Sequence, residues 1–296
     1  MSRNRTHAAV SPQKIKTRLF ALGLLRRCVQ LAVLALFIGT ARLGWSLLGE
    51  PLLNGTLSSS LVAGGLALSD PFALLQKLCA GHKPEAVMIT GALTVLVFYL
   101  LVGGRAFCAW VCPMNIVTDA AYGTRKALNL PASSLRVSRK TRYALAVAAL
   151  LASAVSGTAA FEWVSPQAFL WRELVWGVGA GLLAAVTGVF ALDVLLLERG
   201  WCGHLCPLGA FWSIVGKAGL IKPLFDDERC TKCGDCLRVC PEAQVLNFKQ
   251  AAACGFIASG ECTNCGRCAA VCPENAIRFA TRFQAKPQSG ASQQDT

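Results

Sequence analysis

Near the C-terminus one cysteine pattern occurs twice, as Cys230-x-x-Cys233-x-x-Cys236-x-x-x-Cys240-Pro241 and Cys262-x-x-Cys265-x-x-Cys268-x-x-x-Cys272-Pro273. Two-residue gaps let three thiolates from one loop wrap one face of an iron–sulfur cubane, while the fourth cysteine, set off by a longer gap and a proline, points to a neighbouring cluster. On that logic two [4Fe–4S] clusters are expected, one held by Cys230, Cys233, Cys236 and Cys272 and the other by Cys262, Cys265, Cys268 and Cys240. A disulfide framework or zinc ribbons explain the pattern badly. Zinc knuckles come as isolated C-x-x-C pairs, without a third C-x-x-C step or a trailing Cys-Pro. Gly234 and Gly266 follow the second cysteine of each copy, where the missing Cβ lets the backbone approach a cluster.

The rest of the chain is strongly apolar. It is 54 % hydrophobic and 15 % charged, with a mean hydropathy of +0.49, which points to a membrane protein. Four stretches, about Cys28–Leu48, Ala86–Phe107, Tyr143–Phe161 and Leu174–Leu197, are each expected to span about 30 Å of hydrocarbon, a task for about 20 residues at ~1.5 Å each. Lys and Arg near span ends stay cytoplasmic. Arg3, Arg5, Lys14, Lys16, Arg18, Arg26 and Arg27 precede the first span, and Arg105, Arg125, Lys126, Arg136, Arg139, Lys140 and Arg142 fill the second loop. The other loops carry only Lys77, Lys83 and Arg172. Both termini and the cluster domain are therefore expected on the cytoplasmic side of the membrane. The net charge of +13 reads mostly as this topological signal and calls for no nucleic acid. Arg26-Arg27 before an apolar run also fits an export signal, but Cys28-Val29-Gln30 matches such signals poorly, and a retained anchor is the expectation.

An internal repeat lies in the apolar part. Arg105-Ala-Phe107-Cys108-Ala-Trp110-Val111-Cys112-Pro113-Met114 aligns without a gap to Arg199-Gly-Trp201-Cys202-Gly-His204-Leu205-Cys206-Pro207-Leu208. Each follows a pair of spans, so the membrane part is expected to be all-α, a duplicated two-helix unit. Cysteines at i and i+4 share a helix face, and the proline after each pair ends or kinks its helix. Cys108, Cys112, Cys202 and Cys206 can hold a metal or cluster, cycle as redox disulfides, or simply pack as small hydrophobes. Cys28, Cys79 and Cys254 have no partner pattern and read as structural.

The outward connections echo the duplication. Asp70-Pro71 and Ser165-Pro166 each put a capping residue before proline and an apolar turn, the start of a short helix. Trp45, Trp163, Trp171 and Trp176 gather there as an aromatic belt or, alternatively, the wall of a quinol pocket. Quinol oxidation releases protons, so a proton acceptor is needed. Glu50, His82, Glu85, Glu162 and Glu173 lie toward the outer side, and Asp193 is the one acid well inside a span, a proton-handling candidate that can also reach Arg105 or Arg199.

Taken together, four spans, two C-x-x-x-C-P motifs and a double-cluster domain resemble the NapH-type membrane ferredoxins of periplasmic nitrate reduction, from the basic N-terminus to about Phe279. The resemblance implies an electron-transfer subunit of a quinol dehydrogenase module rather than a stand-alone enzyme. It also implies partnership with a NapG-type ferredoxin, a NapC-type cytochrome and a periplasmic nitrate reductase. NosR-type, MauN-type and CcoG-type proteins share the plan. The outer loops are too short for the extra domain of NosR types, and the tail past the clusters is shorter than in CcoG types.

The organisation expected is a basic tail (1–27), a four-span unit (28–212), a small α+β domain of bacterial 2[4Fe–4S] ferredoxin type (220–282) and a disordered tail (283–296). Val245–Phe248 and Ala276–Phe279 are predicted as matching strands. Lys232, Arg238 and Arg267 stand near the clusters and are placed to raise their potential or to dock a partner. Three functions fit: a quinol-to-reductase electron relay, a copper-handling or assembly factor acting through the C-x-x-x-C-P cysteines, and a membrane dock for a soluble ferredoxin.

Overall fold

The computed structural model describes residues 10–285 except 48, 57, 131–134, 136 and 178. Arg3, Arg5, Arg136 and the tail from 286 lie outside the described residues. Contacts divide the chain into a helical unit drawn from Val29–Tyr99 and Trp110–Trp212, and a cysteine-rich unit drawn from Met1–Cys28, Leu100–Ala109 and Ser213–Thr296.

Helix α1 runs Pro12–Leu43, with Pro12 in the first-turn position that tolerates a missing N–H. Much of the segment expected as a basic tail is thus helical, and the helix ends five residues before the predicted Leu48. By length and composition α1 can cross a membrane. Ala86–Val102, Thr141–Ser156 and Ala180–Leu196 are apolar but shorter.

Glycines set those shorter lengths. Helix α2 (Pro71–Cys79) is followed by α3 (Ala86–Val102), which stops where Gly103 turns to φ +112°. A separate short helix, α4 (Ala106–Trp110), comes next, then α5 (Met114–Ala127) and α6 (Thr141–Ser156). Gly157 closes α6 in the left-handed conformation, the usual helix stop. The predicted fourth span is broken: α7 (Ala160–Val164) and α8 (Pro166–Trp176) precede Gly177 at φ 156°, α9 covers Ala180–Ala191, and a π-turn covers Leu192–Leu196. The two predicted Pro-initiated helices form as expected, with Asp70 Oδ1 accepting the Phe72 N–H at 3.1 Å.

The helical unit is not all-α. Between α1 and α2 the chain forms β1 (Ser46–Leu47) with β2 (Glu50–Pro51), then an antiparallel sheet of β3 (Leu53–Gly55), β4 (Ser59–Val62) and β5 (Leu66–Ser69). Ala63 and Gly64, both at positive φ, give the β4–β5 hairpin the handedness its twist requires. The unit's core is aromatic: Phe37 meets Trp171 edge-on at 4.6 Å, and Phe72 meets Phe161 at 5.9 Å. Trp171 is therefore core, whereas Trp45, Trp163 and Trp176 are exposed.

Several arginines expected as topological markers are buried and work on the backbone. A π-turn leaves carbonyls poorly satisfied. Arg125 donates to Val194 O at 2.7 Å in the first π-turn, and Arg142 donates to Gly203 O at 3.3 Å in a second, Trp201–Leu205.

The cysteine-rich unit contains the later part of α10 (Pro207–Ala218), β6 (Ile221–Phe225), α11 (Asp235–Val239), α12 (Phe248–Cys254), α13 (Arg267–Val271) and β7 (Ile277–Thr281). Antiparallel pairing sets Ile221 opposite Thr281 and Phe225 opposite Ile277. The partner of the predicted 276–279 strand is thus Ile221–Phe225, not Val245–Phe248. Asn247 Oδ1 caps α12 by accepting the Gln250 N–H, and the alanine run behind it favours helix. Phe225, Val245, Leu246, Ile257, Cys268 and Ile277 form the core, with Cys230, Cys236, Cys240 and Cys262 packed against it.

Candidate iron–sulfur centres and titratable groups

Both cysteine loops repeat one backbone signature. Lys232 and Asn264, the residues before the second cysteines, sit at φ 57° and 47°, and Gly234 and Gly266, the residues after them, both at 79°. Alternating the sign of φ turns successive N–H groups toward one concave face, a nest suited to anionic clusters. A Cβ on Gly234 would meet nothing within 4 Å, so the glycine there answers a conformational need rather than a steric one.

The two copies exchange their last cysteines. Cys230, Cys233, Cys236 and Cys272 line one cavity of 270 Å³ walled by Phe225, Phe248 and Ile277. Cys240 lies instead with the second loop. Burial, reinforced by the charges of Cys265 and Cys240, pushes the Cys262 thiol up to about 12, and burial with the same neighbours plus Cys262 pushes Cys268 well above its ordinary value. Burial also raises Cys236, with Cys230 and Cys233 adding to it. Backbone amides answer these sulfurs: Leu237, Asn264 and Ala269 donate to Cys236, Cys262 and Cys268, and Ala276 N–H reaches Cys272 Sγ at 3.3 Å. Among the described residues no three His, Cys, Asp or Glu side chains converge on a single-ion point. A cubane asks for something wider, since each thiolate bonds a different iron. The thiol donors, apolar walls and sulfur-directed amides fit such a group.

The cations singled out from sequence, Lys232 and Arg238 exposed and Arg267 half-buried, are joined by a buried one that sequence reading missed. Arg238 makes an exposed pair with Asp235, at 3.4 Å. Lys222 is 2 % exposed, and its Nζ donates to Gly216 O at 2.5 Å. Burial lowers its pKa, opposed by the neighbouring Cys262 charge.

The C-x-x-x-C-P cysteines do not share helix faces. Cys108 lies in α4 but Cys112 beyond its end, and Cys206 caps the π-turn that holds Cys202. Each following proline starts or precedes the next helix, α5 or α10. Cys112 Sγ donates to Gln167 Oε1 at 3.7 Å and Cys202 Sγ to Thr118 Oγ1 at 3.8 Å. Among the described residues no disulfide forms. Cys28 and Cys79 are exposed and Cys254 is half-buried, so none of the three is a buried core thiol.

The acids separate by role. Asp193 Oδ1 accepts the Trp201 N–H at 3.0 Å, fixing the start of the second motif's π-turn, and its predicted arginine partner Arg199 pairs with Asp119 at 3.1 Å. Glu173 caps α9 by accepting the N–H groups of Gly179 and Leu182. Glu162 accepts Ser58 Oγ–H at 2.6 Å, and burial raises its pKa against Ser58 and Lys77. Half-buried Asp70, taken from sequence only as a cap, is pushed up to about 7 by burial and then by Glu162.

The folded chain therefore keeps a proton on Asp70 that the unfolded chain releases. Its contribution to stability is complete below 3.8 and is lost as pH rises toward about 7. Asp70→Asn keeps a good capping side chain and is expected to flatten the decline in melting temperature across that window. A slope identical to wild type would refute the assignment.

Comparison with known proteins places the chain. A 4Fe-4S binding domain model matches residues 86–131 and again 178–225, the two segments that carry the C-x-x-x-C-P motifs, and a 4Fe-4S dicluster domain model matches 222–289. The methylamine utilization ferredoxin-type protein MauN of Methylorubrum extorquens is 44 % identical over 223 residues, 75 % of each chain. Ferredoxin-type protein NapH of Haemophilus influenzae is 43 % identical over 224 residues, again 75 % of each chain. The chain belongs to the NapH/MauN ferredoxin-type family. NapH of Escherichia coli, 42 % identical over 75 % of each chain, is a further member. The family's iron–sulfur domains account for the thiol-lined cavity and the second thiol group. No solved structure matches the chain.

Proposed function

We propose that this chain is a multi-pass inner-membrane electron carrier that accepts electrons from quinol and passes them, through a NapG-type ferredoxin and a NapC-type cytochrome, toward a periplasmic nitrate reductase. The observation that carries the electron-transfer reading is the exchange of Cys272 and Cys240 between the two cysteine loops, which supplies two four-thiol sets. Cys230, Cys233, Cys236 and Cys272 would hold one [4Fe–4S] cluster and Cys262, Cys265, Cys268 and Cys240 the other, each supplying one-electron storage.

The membrane reading is supported by helices that are apolar all round and leave Leu93, Val97, Phe98, Leu151, Val155 and Leu183 exposed, a face suited to lipid. Arg26 supports a retained α1: it is 3 % exposed and its Nε donates to Ala109 O at 3.1 Å. Both termini and the clusters are assigned to the cytoplasmic side by the basic loops. The proton acceptor that quinol oxidation needs is best matched by Asp70 with Glu162, whose shared environment favours a bound proton.

Anaerobic EPR before and after adding a reduced quinol analogue, with iron and copper measured on the same sample, tests this. About eight irons per chain and cluster signals that appear with quinol are expected. Signals that appear with dithionite but not with quinol would overturn the quinol step and leave a ferredoxin dock. Stoichiometric copper that is lost when Cys108, Cys112, Cys202 and Cys206 become serine would favour the assembly reading. A second acceptor has its own support, because a MauN relative is as similar as the NapH relatives. Loss of growth on methylamine rather than of nitrate reduction, in a strain lacking this chain, would select it.

A further inference from the structure

Arg105 opens the first copy of the repeated motif, and its partners lie far along the chain. Its side chain is 1 % exposed. Nη1 donates to Glu242 Oε1 at 3.1 Å and to the backbone carbonyl of Glu261 at 3.0 Å. Gln244 Nε2 ties the same two segments together, donating to Glu242 Oε2 at 2.8 Å and Glu261 Oε2 at 3.2 Å. Glu242 stands two residues after Cys240, and Glu261 immediately before Cys262. These are the two segments that must meet around the second thiol set, and Cys240 is the member that crosses over from the other copy. The first set's cysteines line a cavity in which Cys233 is exposed. The aligned arginine of the other motif copy, Arg199, is used differently: it pairs with Asp119 and stacks 4.6 Å over Tyr122.

We propose that Arg105 is the positioning residue of the second cluster, clamping the Cys240 and Cys262 segments at the spacing its ligand set needs and setting a buried positive charge beside it. The first copy of the motif is then an anchor for that cluster, whatever its two cysteines do. A guanidinium suits the task because one planar group can donate to a carboxylate and a carbonyl at once, which an ammonium does less well. Removing one partner of a buried pair strands the other charge, so the effect is expected to be large and local. The inference rests on the ligand sets proposed above.

Iron content and EPR-monitored redox titration of the purified full chain test it, with Cys230→Ser and Cys268→Ser used first to label the two signals. Arg105→Met is expected to lower iron from about eight to about four per chain, removing the signal that Cys268→Ser removes and keeping the other. Arg105→Lys should recover part of the lost iron. Glu242→Gln keeps an acceptor oxygen while leaving the guanidinium uncompensated, and should raise the potential of the second cluster alone. If Arg105→Met fails to fold, the Glu242→Gln titration decides. Full iron in Arg105→Met, or an unchanged or equal shift at both clusters in Glu242→Gln, overturns the proposal. A wild type with about four irons would instead sink the ligand sets themselves.

Discussion

Cys272→Ser is expected to empty the first cluster rather than the second, although Cys272 belongs to the second copy of the motif. Its sulfur lines the cavity shared with Cys230, Cys233 and Cys236 and takes an N–H from Ala276, so a serine there removes the fourth corner of that set. Cys240→Ser should do the reverse, because its charge acts on Cys262 and Cys268. Altering an outer partner of a metal site commonly costs about 10–100-fold in affinity, and losing a ligand outright costs more. Each variant should therefore retain about four irons per chain. The decisive reading is the match of signals: Cys272→Ser should leave the same EPR spectrum as Cys230→Ser, and Cys240→Ser the same as Cys268→Ser. If Cys272→Ser instead matched Cys268→Ser, each copy would build its own cluster and the crossover would be wrong.

What the sequence made legible was short-range. Proline announced the helices at Pro71 and Pro166 because its fixed φ acts within one turn; Asp70 caps the first, whereas Ser165 makes no side-chain capping bond to the second. The doubled cysteine spacing and the aligned motifs sufficed to recognise the family. What escaped depends on partners far away in the chain. Val245–Phe248 has the composition of a strand, but the place beside β7 is taken by Ile221–Phe225, and Asn247 caps a helix instead. The strands of 46–69 carry many small and turn-forming residues and alternate weakly, so a sheet there was not visible. Basic residues gave the least away: Arg26, Arg105, Arg125 and Arg142 look like loop charge, yet each is buried against a backbone carbonyl that only the fold supplies. Asp70 was visible as a cap and invisible as a proton site, since its shift comes first from burial and then from Glu162 beside it, both of which only the fold supplies.

Gly260→Ala is expected to be the most damaging small substitution in the cysteine-rich unit. A Cβ there would collide with Ser213 O and lie 2.8 Å from Lys217 N, both backbone atoms of α10, while a Cβ on Gly216 would lie 2.5 Å from Gly260 O. Two glycines face one another so that α10 can touch the turn leading into Glu261 and Cys262. Side chains can swing away from an added methyl, but a helix backbone has to move as a body. Overpacking usually costs about 1–3 kcal/mol, and with a backbone oxygen as the closest atom, which cannot swing aside as the Lys217 side chain can, the cost here should be about 3 kcal/mol or more. Two alanine controls scale the result. Gly234→Ala meets no atom but must hold φ at 79°, a strain of about 1–2 kcal/mol. Gly23→Ala, inside α1 with open space around it, should be neutral or stabilise by up to about 1 kcal/mol. Midpoints of thermal cluster bleaching should therefore fall in the order Gly23→Ala, Gly234→Ala, Gly260→Ala, with the second cluster's signal lost first in the last of them. A Gly260→Ala protein that bleached like wild type would show that α10 does not hold the Cys262 loop in place.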